Sequence, residues 1–247
     1  MSLLDGVTRP VLVHAHPDDE TLATGALVAQ LVRSGLEVHV LTATRGERGE
    51  VVAGALTIAP GTEELVLHRE TELAEALVVL GVHHHAYVGA PPARADGLLP
   101  RLYRDSGMRW VRDGVAGPAA DADDRSLTAA TVAETAADVA AYVRSVRADL
   151  LISYDATGGY GHPDHVHLHE ATRVVATLTG VPFVEVVPPS QIDEPGVEVL
   201  DLVALLPVVT EALRRHASQL TVDGADVVHS GGQRERIVTR VGLRRVT

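Results

Sequence analysis

The chain has 247 residues, is 46% hydrophobic and carries a formal net charge of −12, so residues 1–247 are read as one α/β domain with a substantial core and no clustered basic surface for nucleic acid or an anionic membrane. It contains no cysteine, and all 21 basic residues are arginine. Disulfides, thiolate nucleophiles, Cys-ligated zinc, Schiff-base lysines and Walker lysines are therefore excluded, and any metal must be held by His and carboxylate groups.

The first predicted element is a short strand, Pro10 to Val13, followed by a helix from Thr21 to Ser34 with Leu22, Ala26, Ala29 and Val32 at helical spacing and Gly35 as its stop. Glu37 to Thr44 alternates as a second strand, and Glu63 to Leu80 is a helix ended by Gly81. Ala86 to Val88 is a weaker strand. Ser126 to Arg147 reads as a long helix capped by Ser126, and Leu150 to Tyr154 as a buried strand. A helix from Asp164 to Leu178, strands at Phe183 to Val187 and Val197 to Leu202, and a helix from Pro207 to Leu220 complete the order. Alternation of this kind predicts a mostly parallel, doubly wound sheet with helices on both faces, whose ligands bind beyond the carboxyl ends of the strands. Gly46 to Gly61 and Ala90 to Gly117 are read as long loops over that sheet, of the length that usually serves function. With neither a leader-like segment at Met1 nor an apolar run of about 18 residues, a soluble cytoplasmic protein without a membrane partner is expected.

Two motifs sit at strand ends. Ala15-His16-Pro17-Asp18-Asp19-Glu20 follows the first strand directly, with His16 and Asp19 suited to a divalent metal and Asp18 beside them to act as a base. The competing reading is that Asp18 and Asp19 merely cap the next helix. Tyr160-Gly161-His162-Pro163-Asp164-His165 follows the strand ending at Tyr154, and the usual strand order brings it opposite the first motif. Together they offer His16, Asp19 and His165, three ligands with an open position, which is the catalytic pattern for zinc.

The pair AHPDDE and YGHPDHVH resembles the LmbE-like (PIG-L type) family of zinc-dependent N-deacetylases, which have a Rossmann-like fold. By matching position, the resemblance implies metal ligands His16, Asp19 and His165, Asp18 as general base, and His162 as electrostatic stabiliser and proton donor oriented by Asp164. It also implies Tyr160 as a mobile oxyanion contact. Within the family the resemblance extends to the actinobacterial deacetylases of mycothiol biosynthesis through Arg45 to Glu50, His68-Arg69-Glu70, Arg104 to Met108 and YDATGGYGHPDHVH. That implies an N-acetylglucosaminyl-inositol substrate contacted by Glu50, Arg69 and Asp105, with zinc or ferrous iron as the metal. The alternatives are a mycothiol S-conjugate amidase, which the Arg-Gly-Glu-Arg-Gly loop resembles, or a deacetylase of another N-acetylglucosamine glycoside. The partner is a small amino-sugar substrate, and a homo-oligomer is left open. A Rossmann-type nucleotide binder needs a glycine-rich turn where this chain has His-Pro-Asp-Asp.

Other histidines have plainer readings. His83-His84-His85 is read as a partly exposed connection between a helix and a strand with no carboxylate nearby, His14 as a hydrogen-bonded neighbour of the site, and His216 as a packing residue of the last helix. An i, i+4 metal pair of His165 with His169 is disfavoured, since such pairs work with a Glu beside the first His.

Overall fold

The structure is a computed structural model, and it describes residues 2–112 and 115–246. In chain order its elements are β1 (Pro10–His14), α1 (Asp19–Leu22), α2 (Gly25–Arg33), β2 (His39–Thr42), α3 (Glu63–Leu80), β3 (His84–Tyr87), β4 (Arg109–Arg112), β5 (Val115–Gly117), α4 (Val132–Val146), β6 (Leu150–Tyr154), α5 (Pro163–Thr179), β7 (Phe183–Val187), β8 (Glu198–Asp201), α6 (Leu206–Leu213), β9 (Leu220–Asp223), β10 (Asp226–His229), β11 (Arg234–Arg236) and β12 (Arg240–Val246).

A central sheet orders its strands β3-β2-β1-β6-β7-β12-β8. The five strands from β3 to β7 run parallel, while β12 is antiparallel to both its neighbours. The protein is thus a mixed α/β structure with a mostly parallel sheet. Alternation along β1 shows how it is covered: Leu12 packs into a cluster with residues of α2, α3 and α6, whereas Val11 and Val13 join one with residues of α4 and α5. All three are fully buried, each contributing about 1.5–3 kcal/mol by removal from water. No helix among the described residues is long and apolar enough to cross a membrane.

Local chemistry accounts for most boundaries. Thr62 and Thr131 cap α3 and α4 by accepting from the Leu65 and Glu134 amides, and α3 and α5 end on left-handed Gly81 and Gly180. Ser126 does not cap α4, because a 3₁₀ turn at Leu127–Ala129 intervenes. The helix expected over 21–34 is broken, since the Thr24 hydroxyl takes the Glu20 carbonyl and α2 restarts at Gly25. The Ala90 to Gly117 loop contains the antiparallel pair β4 and β5; Asp113 and Gly114 of that loop lie outside the described residues.

The last third departs most from expectation. The helix beginning near Pro207 ends at Leu213, because the polar residues His216 and Ser218 are drawn inward to buried carboxylates. Leu220 belongs instead to β9, in a three-stranded antiparallel sheet, with Asp223-Gly224 opening its hairpin. The strand near Val197 exists but pairs with β12, antiparallel.

Candidate metal and catalytic centre

Leu12 of β1 lies opposite Ile152 of β6, so the loops leaving His14 and Tyr154 start side by side at one sheet edge. In the first loop Asp18 adopts φ 118° and ψ −31° at the start of α1, a conformation that costs a non-glycine residue about 1–3 kcal/mol. The second loop folds back on α5 through Gly158. A Cβ there would meet the Val166 amide nitrogen at 2.9 Å, and its φ is +66°, so only glycine closes the turn. His162 then caps α5, its Nδ1 accepting from the Asp164 amide at 3.2 Å, with Pro163 at the first helical position.

His16 Nδ1, Asp19 Oδ2 and His165 Nε2 form a triangle with edges of 3.2, 3.3 and 3.4 Å. Tetrahedral ligands held about 2.0–2.2 Å from zinc are about 3.3–3.6 Å apart, so the spacing is that of one tetrahedral face. Each donor is aimed by a further partner. His16 Nε2 lies 3.2 Å from Asp164 Oδ2, and His165 Nδ1 lies 3.2 Å from the Gly158 carbonyl, leaving the facing nitrogens with their lone pairs. Asp19 Oδ2 accepts from the Tyr154 hydroxyl at 2.7 Å and from the His16 amide at 2.9 Å. The Tyr154 ring stacks on His165 with centroids 3.9 Å apart. Asp164 Oδ1 is buried without a partner, and Asp105 brings a further buried carboxylate to 3.6 Å from His16 Nε2. Convergent lone pairs amid excess buried negative charge fit a divalent cation.

Beside the triangle, the Asp18 side chain makes no capping hydrogen bond, which removes capping as its task. Burial, and then the charge of Asp19, push its carboxyl up to about 7. Asp19 itself is held well below the carboxylate range: burial opposes this, but His165 and His16 outweigh it. Burial, followed by repulsion from His16 and His165, pushes the His162 imidazole down to about 3. Since its Nδ1 accepts from a backbone amide, the neutral ring carries its proton on Nε2.

Residues 11–176 match the family model described as PIG-L: GlcNAc-PI de-N-acetylase. The chain belongs to the PIG-L family. It is 48% identical over 170 residues to the 1D-myo-inositol 2-acetamido-2-deoxy-alpha-D-glucopyranoside deacetylase of Kineococcus radiotolerans, covering 68% of this chain and 45% of that protein. The enzyme of the same name from Acidothermus cellulolyticus is 33% identical over 250 residues, covering 87% and 80%. This PIG-L chain spans about half the length of several curated relatives it matches, 45% of the Kineococcus and 55% of the Nocardioides protein. Among solved structures, a teicoplanin-biosynthesis deacetylase in complex with teicoplanin superposes with a TM-score of 0.65 at 20% identity, over 97% of this chain and all of that one. The N,N'-diacetylchitobiose deacetylase of Pyrococcus horikoshii gives 0.61 at 18%, over 87% and 72%. At such identities the similarity is one of fold.

Within this PIG-L site the structure corrects the expected partner of Asp164. Its carboxylate faces His16 and the Ser106 amide, 2.9 Å away, and meets His162 only through the backbone amide. Tyr160 stands at the rim, 54% exposed, with its ring edge-on to His162 and His165. Of the three expected substrate contacts, Asp105 is at the centre, its Oδ1 accepting from the Gly107 amide. Arg69 is 1% exposed and its guanidinium is taken up by the carbonyls of Gly46, Gly49 and Glu50. A Cβ on Gly49 would overlap that guanidinium. The structure does not bring Glu50 to the centre: its side chain is exposed, 3.4 Å from Ser230.

Four participants escaped the sequence reading. Tyr154 braces Asp19; Glu47 accepts the Asp105 amide at 3.0 Å; Ser106 supplies its amide to Asp164. His216, expected as a packing residue, instead meets buried Glu20 at 2.9 Å. Only Tyr154, at a strand end beside the second motif, carried a usable signal. His169 Nδ1 faces the Tyr154 carbonyl, 2.9 Å away. His14 contacts Thr24 through Nε2, while its Nδ1 is buried without a partner. His84 does have a carboxylate close by, because β2–β3 register sets it against His39, which meets Glu37 at 3.0 Å. Those donors lie within 4.8 Å of one another, but both His39 nitrogens are already engaged, by Glu37 and by Tyr142.

Proposed function

We propose that this PIG-L chain hydrolyses the N-acetyl group of N-acetylglucosaminyl-inositol, releasing acetate and the free amine, with a zinc ion held by His16, Asp19 and His165. The observation carrying the chemistry is the triangle of donors with the unpartnered Asp18 carboxylate beside it. The substrate rests on the activity named for the Kineococcus and Acidothermus relatives. Ferrous iron suits the same two-His, one-carboxylate set and is the alternative metal. Bound there, zinc supplies a Lewis acid for the acetyl carbonyl and lowers the pKa of water toward about 7.

Asp18 takes a proton from the attacking water and returns it to the nitrogen as the C–N bond breaks, one group serving as base and then acid. A neutral His162 is not the source of that second proton. Its Nε2–H instead donates to the oxygen on which charge develops, joined by the Tyr160 hydroxyl at the rim. Asp164 holds His16 in the tautomer whose Nδ1 faces the triangle. Asp105 contacts a sugar hydroxyl, Arg69 acts on substrate by shaping the loop over 46–50, and Glu50 meets the part of the glycoside beyond the rim. The strand reversal between β1 and β6, with helices on both faces, supports a Rossmann-like description of a single domain over 1–247.

The test is amine release from N-acetylglucosaminyl-inositol, a mycothiol S-conjugate and a simple N-acetylglucosamine glycoside, alongside metal analysis. Release proportional to bound metal and fastest on the inositol glycoside is expected. Faster cleavage of the conjugate would shift the assignment to the amidase, and no amine from any of the three by metal-loaded protein would refute the deacetylase reading.

A further inference from the structure

Asp18 and Arg147 are the two non-glycine residues with positive φ among those described. Arg147, at φ 55°, is an ordinary left-handed helix end. Asp18, at φ 118°, is not, so its conformation must be imposed by its surroundings. Its amide donates to Glu20 Oε2 at 2.9 Å, and the carbonyl of the preceding Pro17 accepts from Gln219 Nε2 at 2.7 Å. Both ends of the peptide unit leading into Asp18 are therefore gripped by side chains. Glu20 Oε1 in turn meets His216 Nε2 at 2.9 Å, and both Glu20 and His216 are 0% exposed. A fully buried carboxylate–imidazole pair is expensive to desolvate and a poor way merely to tie α1 to the turn after α6.

We propose that Glu20, His216 and Gln219 form a positioning brace that fixes the Asp18 backbone and so aims its carboxylate at the substrate carbonyl. The proposal rests on the reading of Asp18 as general base. Two of its three members, His216 and Gln219, lie beyond the 11–176 stretch that defines the family match, so the C-terminal part of the chain completes a site whose reacting groups all precede it. Its members touch neither substrate nor metal, and their effect passes through Asp18 alone.

The experiment compares His216→Ala, His216→Gln, Gln219→Ala and Asp18→Asn in the metal-loaded protein. It reads metal content, kcat and KM for amine release, and hydrogen exchange at the Asp18 amide. His216→Ala is expected to keep one equivalent of metal and a KM within about twofold, while kcat falls about 10- to 100-fold, the scale of a displaced reacting group. Exchange at the Asp18 amide should accelerate in parallel. His216→Gln, which returns a donor to Glu20 Oε1, should restore most of both. Gln219→Ala leaves the buried pair in place and should reproduce a smaller loss of kcat, giving a second reading if His216→Ala does not fold. Unchanged Asp18 exchange in His216→Ala, or a kcat loss explained by lost metal and not recovered in His216→Gln, would overturn the brace. The base assignment fails separately, if Asp18→Asn retains wild-type kcat whatever its amide exchange.

Discussion

His16-Pro17-Asp18 and His162-Pro163-Asp164 are the same three residues, each in the connection from a strand to the next helix, and the structure uses them in opposite ways. In the first turn the His contributes a ring nitrogen to the donor triangle and the Asp side chain makes no capping hydrogen bond. In the second the His caps a 17-residue helix and the Asp crosses to hold the first His. Backbone makes the difference. The second triplet enters a long helix in standard fashion, with proline at its first position, so His162 Nδ1 meets an amide and Asp164 leans back over the sheet edge. The first enters a helix of only four residues through φ 118°, which swings Asp18 away from the cap. Each turn also completes the other, since Asp164 orients His16 while Asp19 lies 3.3 Å from His165. A motif therefore specifies which groups are available, and the conformation that follows it decides their tasks.

The largest effects should come from the residues the two turns share at the triangle. His16→Ala, Asp19→Ala and His165→Ala are each expected to abolish stoichiometric metal binding and, with it, amine release, because each removes one of three protein ligands. Full metal occupancy in any of them, measured by elemental analysis, would break the triangle assignment.

Making the same substitution in both turns separates their roles. Asp18→Asn should keep its metal and lose ~10²- to 10⁴-fold in kcat, as for a lost general base. Asp164→Asn should instead show mainly a weaker metal site, by ~10- to 100-fold in affinity, as expected when the partner of a ligating His is removed. Titration with a competing chelator reads this directly. Equal metal affinities in the two variants would erase the contrast drawn above.

His162 caps α5 and is proposed as the transition-state donor, and two substitutions divide the two roles. His162→Ala should retain metal, lose ~10²- to 10³-fold in kcat with KM little changed, and lose ~0.5–2 kcal/mol of stability with the cap. His162→Asn should recover the stability, since Asn caps well, but not the rate. Recovery of kcat in His162→Asn would assign the residue to the turn alone.

The smallest effect expected is at Tyr154, whose hydroxyl accepts from the Ala15 amide and donates to Asp19, each at 2.7 Å. Tyr154→Phe leaves that buried amide unpaired, at a cost of ~1–3 kcal/mol in denaturant unfolding. Wild-type stability in the variant would show that another group takes over the amide.

Much of this was legible from residues 10 to 187. Buried strands read as short apolar runs, one helix end was marked by Gly81, and the lack of cysteine confined any metal to His and carboxylate. Periodicity and turn chemistry are local properties, so a single sequence displays them. The region after 197 was less readable because β12 is a strand only through its neighbours. It inserts antiparallel between β7 and β8, and its exposed arginines hide the buried Val241 and Leu243. The same limit applied at the centre, where the residues themselves pointed to His16, Asp18, Asp19 and His165 as candidate groups and the family resemblance added His162. Which of them Asp164 would serve was decided only when β6 paired beside β1, bringing it to a residue 148 positions earlier. The contact of Glu20 with His216, spanning 196 positions, was likewise a tertiary outcome. A hydrogen bond between distant residues goes to whichever partner the fold brings within reach, and no local pattern records that choice.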